Sequence, residues 1–595
     1  MPTAARAQDN TQPQPSASKP PARSEPAQQA EISSHDEPTT FKVNVKLVLV
    51  RAVVRDAQEH AVGNLHKEDF EVFDKGKPQV ISQFDVEQPG SLSAKARQTS
   101  VTTPAELAAT EKPNNPGKAD AIAERFVAYM FDDIHLEFGD IARLREAADR
   151  HFATLAPTDR AAIITTSGQT SLDFTDDRSK LHQTLLQLKP RPINSTVFTN
   201  QCPEISLYQA DLIVNKRDPD ARQVAIDQAM QCGPIGPATQ PGGQPVPHGN
   251  PGALVDALAE GVLSAGEHES RVSLLSLKEV VRGISRMPGQ REIVLVSPGF
   301  LTPDLQIDYN QVVDNALRSQ VVISTLDGRG LYVTIPYGDA SHQPPAAPDA
   351  GMFGASVAPP GLNETQLAVS AARAQDDLLE SLAADTGGYF FQNSNDFDEG
   401  FRRTADTPEY SYVLAFTPQN LKLDGSYHAL KVTLKNRQKL TLQARRGYYA
   451  PKGAADPNEQ AKQEIEDAMY SQEELHTLPV KLHTQFFKAS DDAAKLVVLA
   501  HVDVQHLHFR KVEGRNNDVL TCVSALFNRD GSFVQGSEKT VTMNLKDDTL
   551  EHKLASGITL KTSFDVKPGS YLVRLVVRDA ETQTISAENG TVEIR

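Results

Sequence analysis

The sequence predicts a multi-domain chain. A central doubly wound α/β domain is inserted into a β domain built from strands on both of its flanks, and an antiparallel β-sandwich follows at the C-terminal end. Three observations carry this. From Phe126 to about Gln392 short apolar runs alternate with segments of helical period, as parallel βαβ units with right-handed crossovers require. Around that block, at Phe41–Phe84 and again from Tyr410, the hydrophobic period drops to two, and these two sets of strands have only each other to pair with. From Leu478 to Arg595 only strand patterns and turns remain, and six or seven strands in roughly 115 residues are the spacing of an immunoglobulin-like sandwich.

A length of 595 residues exceeds what one core can hold. Hydrophobic residues make up 39% of the chain, which is enough for globular cores. No window approaches the ~20 apolar residues of a membrane-spanning helix. The net charge of −17 argues against nucleic acid as the main partner, because phosphate binding needs a basic face.

Residues 1–40 are rich in Pro, Ala, Gln and Ser without periodicity, which predicts a disordered leader. Within it, Ala5-Arg6-Ala7-Gln8 looks like the end of a secretory signal whose charged and apolar parts are missing. The expected location is therefore secreted, periplasmic or on the cell surface. Strands of the split β domain occupy 41–90, with a hairpin in Lys67–Phe84 turning at Asp74-Lys75-Gly76. A linker covers 91–123.

The α/β domain spans 124–404, with insertions at 190–266 and 332–362. Its organising stretch is Phe126–Glu137, FVAYMFDDIHLE, an apolar run that stops at two carboxylates, a histidine and a third carboxylate. Such a run reads as a strand buried on both faces. The next segment, Asp140–Leu155, has helical period with Asp140 as its N-cap. Further strands are expected at Ala161–Thr166, Ile293–Val296, Val321–Leu326 and Tyr389–Gln392. Helices are expected at Arg178–Leu188, Ser270–Met287, Tyr309–Arg318 and Gln366–Ala384, with a helical piece near Tyr208–Met230 inside the first insertion. The remaining strands of the split domain fill 405–451. A linker with a short acidic helix covers 452–476, and the sandwich covers 477–595.

Ligands of such sheets sit beyond the carboxyl ends of the strands, so Asp132–Glu137 is the first place to look for a site. In an extended loop Asp133, His135 and Glu137 face one side, and a carboxylate–imidazole–carboxylate set binds a divalent transition metal. A metal-dependent hydrolase using those three residues is the alternative function. The plainer reading is a solvated acidic loop where the helix dipole favours carboxylates. No G-x-S-x-G elbow, Walker loop or H-E-x-x-H is present, so the chain reads as a non-enzyme. Asp385-Thr386-Gly387-Gly388 contains a D-T-G triplet that more simply turns a helix into the next strand. Asp327-Gly328 is a turn signal too, although Asp327 lines the same sheet edge as Asp132. Of three cysteines, Cys202 and Cys232 flank a loop-rich insertion and are a disulfide candidate, while Cys522 sits in an apolar strand pattern.

Several stretches together carry a resemblance. They are KEDFEVFDKGKPQVISQF, FDDIH, LAPTDRAAIITTSG, DFTDDRSKL, REIVLVSPGF, STLDGRGL, LAADTGGYFF and the exit YSYVLAFTP to ARRGYYAP. In order and spacing, residues 41–451 resemble the bacterial VWFA-related proteins described mainly from acidobacteria, of the von Willebrand factor type A superfamily. The resemblance implies a metal-ion-dependent adhesion site, a hard-oxygen set for Mg²⁺ or Mn²⁺. Asp132 falls on its first aspartate. Its two serine positions hold Ile134 and Leu136, Ser297 stands where a fourth-strand aspartate belongs, and Thr196 or Thr199 supplies the threonine. The site is therefore degraded.

The function this implies is an exported, non-enzymatic binding, adhesion or scaffold protein whose partner is a protein or cell-surface polymer. Asp132, Asp133 and His135 are the candidate metal ligands, and Glu137, Thr196, Thr199, Ser297 and Asp327 the candidate binding residues. Mg²⁺ or another divalent metal is the one cofactor implied.

Overall fold

The computed structural model of the protein describes residues 31–37, 48–58, 60–88, 122–193, 202–231, 250–331, 361–406, 408–418, 425–435, 439–450, 457–471, 474–490 and 492–594. Thr196, Thr199, Cys232 and nearly all of the second insertion lie outside them.

The centre of the chain forms one six-stranded sheet. Its strands are β1 (Arg125–Phe131), β2 (Asp159–Thr165), β3 (Ser171–Thr175), β4 (Gln290–Ser297), β5 (Val321–Asp327) and β6 (Phe390–Phe391). They lie in the order β6-β5-β4-β1-β2-β3, parallel throughout except for β3 against β2. The chain leaves β1 toward β2 on one side and returns to β4 on the other, so the topological switch point falls at the carboxyl ends of β1 and β4.

Every residue of β1 is buried. Phe126, Ala128 and Met130 enter one core with α5 (Pro251–Ile284), α6 (Gln306–Arg318) and α7 (Gly361–Thr386). Val127, Tyr129 and Phe131 enter the other with α1 (Phe138–Thr154), α2 (Arg178–Leu185) and α8 (Phe397–Ala405). Helices on both faces are what let the strand be apolar at every position from Phe126 to Phe131.

Two helix starts differ from expectation. The cap of α1 is Glu137, while Asp140 lies in the first turn and pairs with Arg143 at 2.6 Å. The long helix α5 begins at Pro251, well inside the expected insertion, with the Asn250 side chain accepting from the N–H groups of Gly252 and Ala253. Its first half is rich in small residues that give little hydrophobic signal. They are selected for close packing against the helices α3 (Leu207–Val214) and α4 (Pro219–Gln231), where Ala259, Val255 and Leu263 meet Ala210, Ile213 and Ala225. A Cβ on Gly266 would stand 2.5 Å from Leu207.

Strands from both flanks of this domain pair with one another. Val48–Arg55 lies between Ser411–Phe416 and Thr441–Ala444, and Ile81–Glu87 closes that sheet. Phe70–Asp74 and Tyr427–Leu434 form the heart of a second sheet, and Val50, Phe70, Tyr412 and Phe416 fill the space between.

The C-terminal region consists of a seven-stranded and a three-stranded antiparallel sheet around two apolar clusters. Two elements correct the sequence reading. Ile32–Glu37, inside the expected disordered leader, pairs antiparallel with Phe533–Leu545 in the register Ile32 to Met543. The short acidic helix expected in the linker is present as Pro457–Tyr470, but it is docked on the sandwich rather than part of a free linker. It buries Ile465, Ala468 and Met469 against Val523, Phe527 and Leu572, and Glu464 accepts from Arg578 at 2.8 Å.

The sandwich is keyed into the base of the α/β sheet. Gly531 has φ +84°, and a Cβ there would lie 2.2 Å from the Phe126 ring. The fully buried Arg160 of β2 reaches Asp530 at 3.3 Å and the backbone carbonyl of Arg529.

Candidate functional site

Asp132 is the first residue after β1, wholly buried at the switch point, and its N–H donates to the carbonyl of Val296 at 2.9 Å. The chain then folds back on itself: the N–H groups of His135 and Leu136 both reach the Asp132 carbonyl, at 3.2 and 2.9 Å. This turn brings the His135 ring over the carboxylate, with Nδ1 at 3.0 Å from Oδ1 and 2.9 Å from Oδ2. Ser297, at the end of β4, donates its hydroxyl to Oδ2 at 2.7 Å. The other side of the imidazole stacks on Phe300, with ring centroids 5.5 Å apart and planes 15° from parallel.

The electrostatics follow from burial and pairing. Burial alone would raise the Asp132 pKa, but the His135 charge and the hydroxyls of Ser297 and Thr166 hold it below the usual carboxylate value. Burial would lower His135, but the facing carboxylate outweighs it and the imidazole titrates above its ordinary value, with Glu269 of α5 adding to the effect. The pair is a buried histidine–carboxylate contact in which each partner favours the charged form of the other.

Asp133 faces the opposite way. It accepts from the Ser167 N–H at 2.9 Å and the Ser167 hydroxyl at 2.6 Å, with Arg191 at 4.0 Å, and burial leaves its pKa raised. Glu137 is exposed at the start of α1 and makes no side-chain capping bond. The structure therefore does not gather Asp133, His135 and Glu137, because the loop is a turn rather than an extended strand. Among the described residues no cluster of three or more His, Cys, Asp or Glu is placed to hold a metal.

The donor set implied by the resemblance does not fit a divalent cation either. Both serine positions have become core, since Ile134 and Leu136 are buried and Leu136 packs on Gly328, where a Cβ would be 2.5 Å away. Both oxygens of Asp132 already accept bonds from the chain itself. At the end of β5, Asp327 is clasped by Arg329 through two contacts of 2.9 Å. The same guanidinium reaches Gln375 and Asp376 of α7. Burial nevertheless leaves the Asp327 carboxyl raised.

Ser167, Arg329 and Asp376 are parts of this edge that the sequence reading did not single out. Two signals stood in the open. Thr165-Thr166-Ser167-Gly168 ends a strand with hydroxyls, and Arg329 follows Asp327 at a turn spacing. Elsewhere, the D-T-G triplet is a helix end, with Thr386 Oγ1 accepting from Ile323 N–H at 3.0 Å and Gly387 at φ +86°. Cys202 is disulfide-bonded and Cys522 is a free, buried thiol. No helix among the described residues is long and apolar enough to cross a membrane.

No protein-family profile matches the chain, and no curated protein does. Among solved structures it is weakly similar to β-glucuronidase from Bacteroides uniformis, at 13% identity over 33% of this chain and 20% of that one, with a TM-score of 0.13. A DUF4785 family protein from Legionella pneumophila has 10% identity over 32% and 42%, TM-score 0.12. A β-glucosidase from Kluyveromyces marxianus has 11% identity over 53% and 34%, TM-score 0.10. The chain spans less than half the length of each, and superposition this poor carries no functional argument.

Proposed function

We propose that this chain is an exported, non-enzymatic binding, adhesion or scaffold protein of the von Willebrand factor type A kind. It engages a protein or cell-surface polymer through the carboxyl edge of its central sheet without a divalent cation. The observation that carries the reading is the hold on Asp132. The position from which the family's metal would be coordinated is filled by the His135 ring on one side and the Ser297 hydroxyl on the other. An imidazolium supplies one positive charge where a metal would supply two, and it has no open coordination position. Recognition then falls to the groups on the rim, Glu137, Arg191 and Arg329, together with the insertion that carries α3 and α4.

The test is calorimetric titration of chelator-stripped protein with Mg²⁺, Mn²⁺ and Zn²⁺, beside Asp132→Ala and Asp133→Ala. The expected result is no saturable heat and no change of melting temperature with metal. Micromolar binding lost in Asp132→Ala would sink the metal-free reading. Metal-dependent turnover of ester or phosphoester substrates lost in Asp133→Ala would favour the hydrolase.

A further inference from the structure

We propose that Asp518 and Asp579 share a single proton inside the C-terminal sandwich, Asp518 being a neutral carboxylic acid that donates to the Asp579 carboxylate, and that this pair makes the sandwich sensitive to pH. The two residues close the same end of one core. Asp518 lies on strand Arg515–Asn528, two residues before Leu520, which is the register partner of Asp579 on strand Gly569–Asp579. Both point inward beside Leu520, Cys522 and Val577, with exposures of 1% and 0%.

Their hydrogen bonds leave one gap. Asp518 Oδ1 accepts from the Val519 N–H at 2.7 Å, and Oδ2 is buried without any donor. Asp579 is well served by its own loop. It accepts from the N–H groups of Glu581 and Thr582 at 2.8 and 3.2 Å and from the Thr582 hydroxyl at 2.8 Å. That fills three of its roughly four acceptor positions. The register Leu520 to Asp579 and the bond from the Ala580 N–H to the Val519 carbonyl set the two carboxyls at the same end of the core, where Asp579 acts on Asp518. Two ionised carboxylates cannot stand in contact in such a place, whereas one proton between them satisfies both the orphan oxygen and the free acceptor position.

The neighbouring charges offer no other remedy. Glu581 adds a third carboxylate and takes Arg510 at 3.4 Å. Lys511 is held by Asp547 at 2.9 Å, which also accepts from Asn516. Arg515 and Lys546 face Glu31 at 4.0 and 3.4 Å. The adjacent strand presents Met543 opposite Asp518, and helix Asp547–Ser556 packs Leu550 and Leu554 into the same cluster.

Burial, with the Asp579 and Glu581 charges behind it, moves the Asp518 carboxyl up to about 7. A folded-state pKa above the unfolded one contributes stability that is complete below about 4 and is lost as pH rises through about 7. A shift from 3.8 to about 7 corresponds to a change of up to about 10³-fold in the folding equilibrium of the sandwich.

The experiment is thermal unfolding of the whole protein from pH 4 to 9 at fixed ionic strength, with and without Ca²⁺, for the natural chain and Asp518→Asn. The asparagine amide is a permanent donor to Asp579. The natural protein should lose melting temperature relative to Asp518→Asn between about pH 4 and 7, with half of the loss reached near about 5.5, and the difference should level off above about 7. A flat difference curve overturns the proposal. So does Ca²⁺ restoring the natural protein at pH 8 but not the variant, because the pair would then hold a metal ion. Should Asp518→Asn fail to fold, hydrogen-exchange mass spectrometry on the natural protein decides. Protection of 515–528 and 569–579, corrected for intrinsic rates, should fall between about pH 5 and 7 and level off above, and constant protection from pH 5 to 7 overturns the proposal.

Discussion

The hydroxyl of Ser297 donates to Asp132 at 2.7 Å and so ties together the carboxyl ends of the two central strands of the α/β sheet. The same Ser297 oxygen accepts from the Gly299 N–H at 3.0 Å, which makes it a relay between the buried carboxylate and the loop that carries Phe300. Ser297→Ala removes a donor from a buried charge and should cost about 1.5–3 kcal/mol. Urea unfolding checks this, with a lower midpoint and an unchanged slope expected. Ser297→Asp, which restores the carboxylate implied by the resemblance, should be worse than alanine, because it sets a second charge against Asp132.

The His135–Asp132 pair makes the α/β domain respond to pH in a stated direction. His135 is raised above its ordinary 6.5, so its contribution is complete below that value and fades as pH climbs through the folded-state pKa. Asp132 is lowered below 3.8, so its contribution is present above 3.8 and fades only as pH falls through the folded-state value. The stabilised window therefore lies between the two, in mildly acidic to neutral solution. His135→Ala should lower the melting temperature inside that window and abolish the alkaline decline attributable to this pair. Melting curves from pH 4 to 9 for both proteins read the difference.

What the sequence could and could not disclose follows from physical causes. The strand β1 was legible because its side chains from Phe126 to Phe131 form an unbroken apolar run, the mark of burial on both faces. Which carboxylate His135 would meet was not. Alternation along an extended loop puts His135 beside Asp133, but the chain turns after Asp132, and residues three apart become neighbours. Ile32–Glu37 was invisible because its sequence, ISSHDE, has a single apolar residue and its place in the sheet rests mainly on backbone pairing. In helix Pro457–Tyr470 the acidic outer face hid the seam of Ile465, Ala468 and Met469. The small-residue first half of α5 was hidden in the same way, since close packing selects Gly and Ala, which carry little hydrophobic signal.

The turn from α7 into β6 tolerates no side chain. At Gly388 a Cβ would sit 2.0 Å from the Ile323 carbonyl oxygen, a backbone atom of β5 that cannot move without opening the sheet. Gly388→Ala should destabilise by about 3 kcal/mol or more, at the upper end of overpacking costs. The corresponding change at Gly76, where a Cβ meets nothing, is a control for added bulk, although its φ of +78° carries its own strain. Guanidinium unfolding of the two variants separates them, and equal costs would contradict the steric account.

Arg160 decides whether the sandwich and the α/β domain unfold together. Its guanidinium is fully buried and donates to the carbonyls of Pro157 and Asp159 at 2.9 and 3.0 Å on its own side of the junction. Across the junction it reaches Asp530 at 3.3 Å and the Arg529 carbonyl at 3.4 Å, while Arg529 returns to Asp176 of the α/β domain at 2.7 Å. Arg160→Ala takes the donor from the buried Asp159 carbonyl and from part-buried acceptors at Pro157, Arg529 and Asp530, a loss of about 1–3 kcal/mol. Because those acceptors lie on both domains, the loss should appear as uncoupling as well as instability. Calorimetry should resolve one transition in the natural chain into two in the variant. A single, merely lower transition would mean that the Gly531–Phe126 contact and the docked helix hold the domains together without Arg160.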